Sequence, residues 1–177
     1  MRKPLGKIIS PVLCVFLIVS VFSALNAGCS TLFRPHEKRA HAVLLPTLGS
    51  SARGTVNFIE RVDGMQVTYN LVGLPPNSDY SFRIYERGHC NAFSARDSGQ
   101  VFDPSRLSGS SALSNARPAG NMPNIKADAN GGATGFVVVT ELTLDGIRSV
   151  VGRSVVVLHY EDTSVEKSRL ACGVIRR

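Results

Sequence analysis

The chain has 177 residues, with 20 Lys or Arg against 13 Asp or Glu and a formal net charge of +7. That length supports one domain with a real core beside a targeting segment. The basic residues are spaced singly, with no basic helix and no run interleaved with aromatics, so nucleic-acid binding has no specific signal.

In chain order, Arg2, Lys3 and Lys7 precede a nearly unbroken apolar run of 13 residues at 12–24, and small residues follow at 25–30. A positive start, a short greasy core and a small-residue cleavage site are the layout of a secretory signal; the run falls short of the ~20 residues a membrane-spanning helix needs. Residues 1–28 are therefore expected to direct export to the periplasm or cell envelope. The ending Ala27-Gly28-Cys29-Ser30 resembles a bacterial lipoprotein signal, which implies a lipid on Cys29 and a membrane tether. Cleavage after Ala27, with release of a soluble product, is the alternative. Loss of residues 1–28 removes three basic residues and no acids, leaving a net charge of +4. Residues 29–52 carry mixed charge, prolines and no sustained period, and read as a linker. Arg34, Lys38 and Arg39 within it are placed to meet anionic headgroups or simply to be solvated.

From Arg53 to the end, a single all-β domain over 53–177 is expected. Val56 and Phe58 share a face opposite Thr55 and Asn57. After an Asp63-Gly64 turn signal, Met65, Val67, Tyr69 and Leu71 alternate with polar residues, as in a half-buried hairpin. Leu74-Pro75-Pro76-Asn77 makes a corner, because proline cannot continue a ladder. Further strands are expected at 80–86, 134–142, 153–160 and 171–175. The stretch 91–132, rich in Ser, Gly, Asn and Pro, reads as one long loop that needs a pin. Of the four cysteines, Cys14 leaves with the signal and Cys29 is the lipid candidate. Cys90 and Cys172 remain, and in an oxidising compartment they most simply pair; a buried pair of free thiols is the alternative.

Several ordered motifs then resemble the copper/zinc superoxide dismutases, in the form found in exported bacterial members. Arg169-Leu170-Ala171-Cys172-Gly173-Val174-Ile175 is similar to the family's C-terminal signature, which implies an anion-guiding role for Arg169 and a disulfide at Cys172, with Cys90 at the partner's position. The segments 150–157, 99–104 and Met122-Pro123-Asn124-Ile125 resemble the strand before a copper histidine and two parts of the zinc loop. The resemblance implies a Greek-key antiparallel β-barrel or sandwich with one long disulfide-pinned loop.

The metal ligands do not carry over. The positions that the family gives to histidines or aspartate on copper and zinc are Arg83, Tyr85, Val101, Pro118, Asn121 and Leu158 in this chain, and a further zinc histidine is missing within 108–114. Alternation sends Tyr80, Phe82 and Ile84 inward and Arg83 and Tyr85 outward, and it turns His159 away from Leu158. The family's two-metal site uses six histidines, whereas the whole chain has four. His36 and His41 fall in the linker, which leaves His89 and His159. Arg83 is a permanent cation that repels a divalent ion. The segment between Leu158 and Ser168 is also too short for the family's charged steering loop, so Arg169 reads as a vestigial guide that holds neighbouring carbonyls.

No hydrolase elbow, phosphate loop or zinc-protease helix is present. The acid pairs Glu161-Asp162 and Asp97 with Asp103 read as solvated loop residues. The expectation is a non-catalytic member of the family that needs no cofactor. It would serve as a structural or binding module at the cell envelope, with Arg83 and Tyr85 as a face for an anion or an unidentified protein partner. The alternatives are residual copper-dependent dismutation through His89, His159, His36 or His41, and copper delivery to another exported protein.

Overall fold

Alternation of apolar and polar residues accounts for three of the eight strands in the computed structural model, which describes residues 37–91, 98–107, 117–160 and 169–177. The strands are β1 (Arg39–Pro46), β2 (Arg53–Arg61), β3 (Gly64–Val72), β4 (Asp79–Tyr85), β5 (Ile125–Lys126), β6 (Ala133–Val139), β7 (Ser154–His159) and β8 (Arg169–Val174). All pairings are antiparallel, in the order β5-β4-β7-β8-β1-β2-β3-β6. β1, β2, β3 and β6 form one sheet, and β5, β4, β7 and β8 the other. β1 joins them by pairing along β2 and then, at Leu45 and Pro46, with β8. The result is a nearly closed barrel of Greek-key type, as the resemblance implied. Among the described residues, no helix is long and apolar enough to cross a membrane.

The space between the two sheets is filled by the inward half of each alternation. Phe58, Val67, Tyr80, Phe82, Ile84 and Val157 are fully buried there. Burying each large side chain is worth roughly 1.5–3 kcal/mol against leaving it in water. Tyr80 keeps its hydroxyl satisfied by donating to the Pro75 carbonyl oxygen at 2.6 Å, at the proline corner. Burial pushes the Tyr80 phenol above its ordinary pKa, partly offset by a hydrogen bond with Ser78.

Three sequence expectations need correction. Residues 39–46, assigned to a linker, are strand β1, and the folded unit begins at Glu37 rather than at 53. Ala40, Ala42 and Leu44 point inward while Val43 and Leu45 lie exposed, so two of the three inward residues are small and apolar residues stand on both faces, which erases the alternation. Lys38 and Arg39 accordingly make ion pairs on the barrel, Lys38 with Asp145 at 2.9 Å and Arg39 with Glu37, while Arg34 lies outside the described residues. Finally, the β2–β3 turn is Val62-Asp63, closed by the Arg61–Gly64 pair, one residue earlier than the Asp63-Gly64 signal suggested.

Cys90 and Cys172 form a disulfide, with Cα atoms 5.6 Å apart and a separation of 82 residues, so the free-thiol alternative falls. A loop of that size gives about 4 kcal/mol in the chain-entropy account. Gly173, next to this cysteine, lets β8 approach β1; a Cβ there would lie 2.4 Å from the Val43 carbonyl oxygen. The long loop is pinned elsewhere too. The Glu86 and Arg87 amides donate to the Gln100 and Ser98 carbonyls, and Phe102 and Met122 reach the core. The signal segment, Cys29, His36, and residues 92–97, 108–116 and 161–168 lie outside the described residues.

Candidate functional site

β4 has two faces with different contents. Its inward residues belong to the core, and its outward residues are Ser81, Arg83 and Tyr85. Antiparallel pairing fixes what stands beside each of them. Ser81 faces Leu158, Arg83 faces Val156 and Tyr85 faces Ser154 on β7. β7 in turn sets Val156 against Cys172 and, past an irregularity between Val157 and Leu158, sets Leu158 against Arg169. On the other flank of β4, isolated bridges place Asn121 beside Arg83 and Val101 beside Tyr85. Residues paired directly across antiparallel strands project to the same side. Arg83, Tyr85, Val101, Asn121 and Leu158 therefore share one outer face with Arg169 and the disulfide.

Gly120 makes the Asn121 position possible. Its carbonyl accepts from the Ile84 amide at 2.9 Å, and a Cβ at Gly120 would lie 2.4 Å from the Ile84 carbonyl oxygen. Only a residue without a side chain lets this segment lie so close along β4. Pro118 is two residues further back and half-buried. With Asn121, Asp103, Arg117, Glu141 and Arg148 it lines a cleft of about 580 Å³.

The face is largely dry. Val156, Tyr85, Leu158 and Cys172 form a buried apolar cluster, with Cys90 and Val101 packed against it. Arg169 is 7 % exposed, and its guanidinium carbon lies 4.7 Å from the centre of the Tyr85 ring, a cation–π arrangement. Its backbone carbonyl accepts a hydrogen bond from the Thr47 hydroxyl. Arg83 is half-buried, and among the described residues its side chain makes one hydrogen bond, a long one from Nη2 to Ser81 Oγ at 3.5 Å. Asn121 Oδ1 is buried with no hydrogen-bond partner among the described residues.

These residues do not fit copper or zinc. Such sites need several imidazole, thiolate or carboxylate donors converging at ~2.0–2.3 Å. Val101, Leu158 and Pro118 offer no side-chain donor, Arg83 brings a positive charge, and Tyr85 is covered by Arg169. Among the described residues, no group of three or more His, Cys, Asp or Glu could hold a metal ion. The histidines are dispersed. His159 is turned from Leu158 and stacks on the core residue Tyr80, with ring centres 5.5 Å apart. His89 is exposed beside the disulfide, its carbonyl accepting from Ser98 Oγ. His41, assigned to a linker, belongs to β1 and exchanges backbone hydrogen bonds with Arg176, two residues beyond the end of β8. The barrel thus holds three histidines, not two, and none lies on the Arg83 face.

The sequence reading passed over Ser81 and Val156, although the alternation of β4 and β7 was enough to place them beside Arg83.

Comparison with other proteins agrees with this fold. A family model described as copper/zinc superoxide dismutase matches residues 52–175. The chain is 31 % identical over 140 residues to a Cu-Zn superoxide dismutase of Yarrowia lipolytica, covering 71 % of this chain and 90 % of that one. It is 33 % identical over 149 residues to the Candida glabrata enzyme, covering 77 % and 96 %. With the second Cu-Zn superoxide dismutase of Aquifex aeolicus it shares 32 % over 151 residues, covering 79 % and 88 %.

Proposed function

Since the chain belongs to the copper/zinc superoxide dismutase family, we propose that it is an exported member without dismutase chemistry, keeping the barrel and disulfide as a structural or binding module at the cell envelope. One observation carries this reading. Of the six former ligand positions named in this chain, five lie together on one face, and they hold a guanidinium, a covered phenol, an amide and two hydrocarbons. The scaffold that would gather ligands is intact, and the ligands are not there. The secretory layout of residues 1–28 and the Cys29 motif support export and a lipid tether, with Arg83 and Tyr85 as the face offered to a ligand or partner.

The test is metal analysis of the purified protein after incubation with copper and zinc and challenge with a chelator, alongside a dismutation assay. The reading predicts no metal retained in stoichiometric amount and no rate above that of free copper. One copper and one zinc held per molecule, with dismutation near the diffusion limit, overturns it. The tether has its own test. Cys29→Ser is expected to move the protein from the membrane fraction to the soluble one, and unchanged fractionation refutes the lipid.

A further inference from the structure

We infer that Arg83 and Asn121 form a binding site for a small protonated oxyanion, with hydrogenphosphate as its representative. The inference rests on the reading that this face has given up its metals, and it names what the face takes instead.

Two unmet requirements stand side by side. Arg83 is a cation held partly out of water, with no carboxylate at ion-pair distance among the described residues and only a long contact to Ser81 Oγ. A guanidinium in such surroundings gains strongly from a charge-assisted hydrogen bond to an oxyanion. Its bridge partner is Asn121, on the same side of β4, whose buried Oδ1 has nothing donating to it among the described residues. A buried acceptor without a donor is costly, and a ligand that brings an O–H or N–H removes that cost. One ligand answers both needs if it is negatively charged and still carries a proton. Hydrogenphosphate and hydrogencarbonate have that property near neutral pH; sulfate and acetate do not. The apolar wall of Tyr85, Val156 and Leu158 lowers the local dielectric and strengthens the attraction. Arg169 adds positive potential on the same face while remaining stacked on Tyr85.

The experiment is a calorimetric titration of the purified protein near neutral pH with inorganic phosphate and, separately, with sulfate. Metal content is measured on the same sample. Phosphate is expected to saturate one site with a dissociation constant of about 1 mM or below, and sulfate to bind about tenfold more weakly for want of a proton to give Asn121. Arg83→Met is expected to weaken phosphate by about tenfold or more, and Arg83→Lys by less, because it keeps the charge but not the fork. Asn121→Ala should erase the preference for phosphate over sulfate. Circular dichroism of each variant establishes that the barrel has formed, and Arg83→Lys serves if Arg83→Met does not fold. Equal affinity for phosphate and sulfate, undiminished binding in Arg83→Met, or loss of binding in Arg169→Lys alone each overturns the site. Absence of phosphate binding in metal-free protein refutes this inference and leaves the proposed function standing. Stoichiometric copper and zinc in the sample refute the proposed function itself.

Discussion

The two faces of β4 tell different stories from one seven-residue strand. Inward, Tyr80, Phe82 and Ile84 are fully buried and packed against residues of both sheets. Outward, Ser81, Arg83 and Tyr85 stand where the family keeps part of its metal chemistry, and they carry none of it. The side chains of a strand alternate, so each face meets a separate set of neighbours and answers to separate constraints. Shape and burial fix the inner set. The outer set is free to change once its chemistry is no longer required, provided the replacements stay compatible with the dry ground beneath the disulfide.

That contrast can be broken by substitution on either face. The largest effect is expected from Phe82→Ala, which opens a cavity between the sheets and should cost about 3–5 kcal/mol by urea unfolding. A loss below about 1 kcal/mol would show that the interior collapses easily and that the two faces are alike. Next comes Cys172→Ser, which releases the loop from β8 and is expected to cost about 2–4 kcal/mol, read the same way. Arg83→Met should change stability by no more than about 1 kcal/mol in either direction, because it removes a partly buried charge that has no ion partner among the described residues. A loss of several kcal/mol would make Arg83 structural and erase the distinction.

The smallest effect belongs to the exposed ion cluster of Lys38, Asp145 and Arg177. Hydrogen bonds from Lys38 and then Arg177 hold the Asp145 carboxyl below its ordinary value of 3.8. A depressed carboxyl contributes stability that is present above that ordinary value and is lost as pH falls through the folded one. Asp145→Asn is therefore expected to lower the melting temperature slightly at neutral pH in low salt. The difference should vanish in strong acid and in high salt. A difference that persists in acid would assign the effect to packing.

Legibility in the sequence followed alternation. β2, β3 and β4 could be read because large apolar residues sit inside and polar ones outside, and the same rule placed Arg83 and Tyr85 outward; β7 shows instead as a continuous apolar run, buried on both faces. β1 escaped because two of its three buried positions are alanines, Ala40 and Ala42 beside Leu44, while the apolar Val43 and Leu45 face water. The two-residue strand β5 is too short to show any period. Val101 and Asn121 reach the face through isolated bridges from an irregular segment, which no periodicity reports. Resemblance to the family alone pointed to them. The stacking of Arg169 on Tyr85 depends on a long side chain lying across neighbouring strands, and that is a property of packing rather than of spacing.

The backbone exchange between His41 and Arg176 also has a topological outcome. The beginning of the first strand and the end of the last are neighbours at one pole, where Lys38 and Arg177 share Asp145. Folded units whose ends meet in this way tolerate being cut elsewhere and rejoined there. The barrel of residues 37–177 is accordingly suited to circular permutation, or to insertion as a cassette into a surface loop of a host protein.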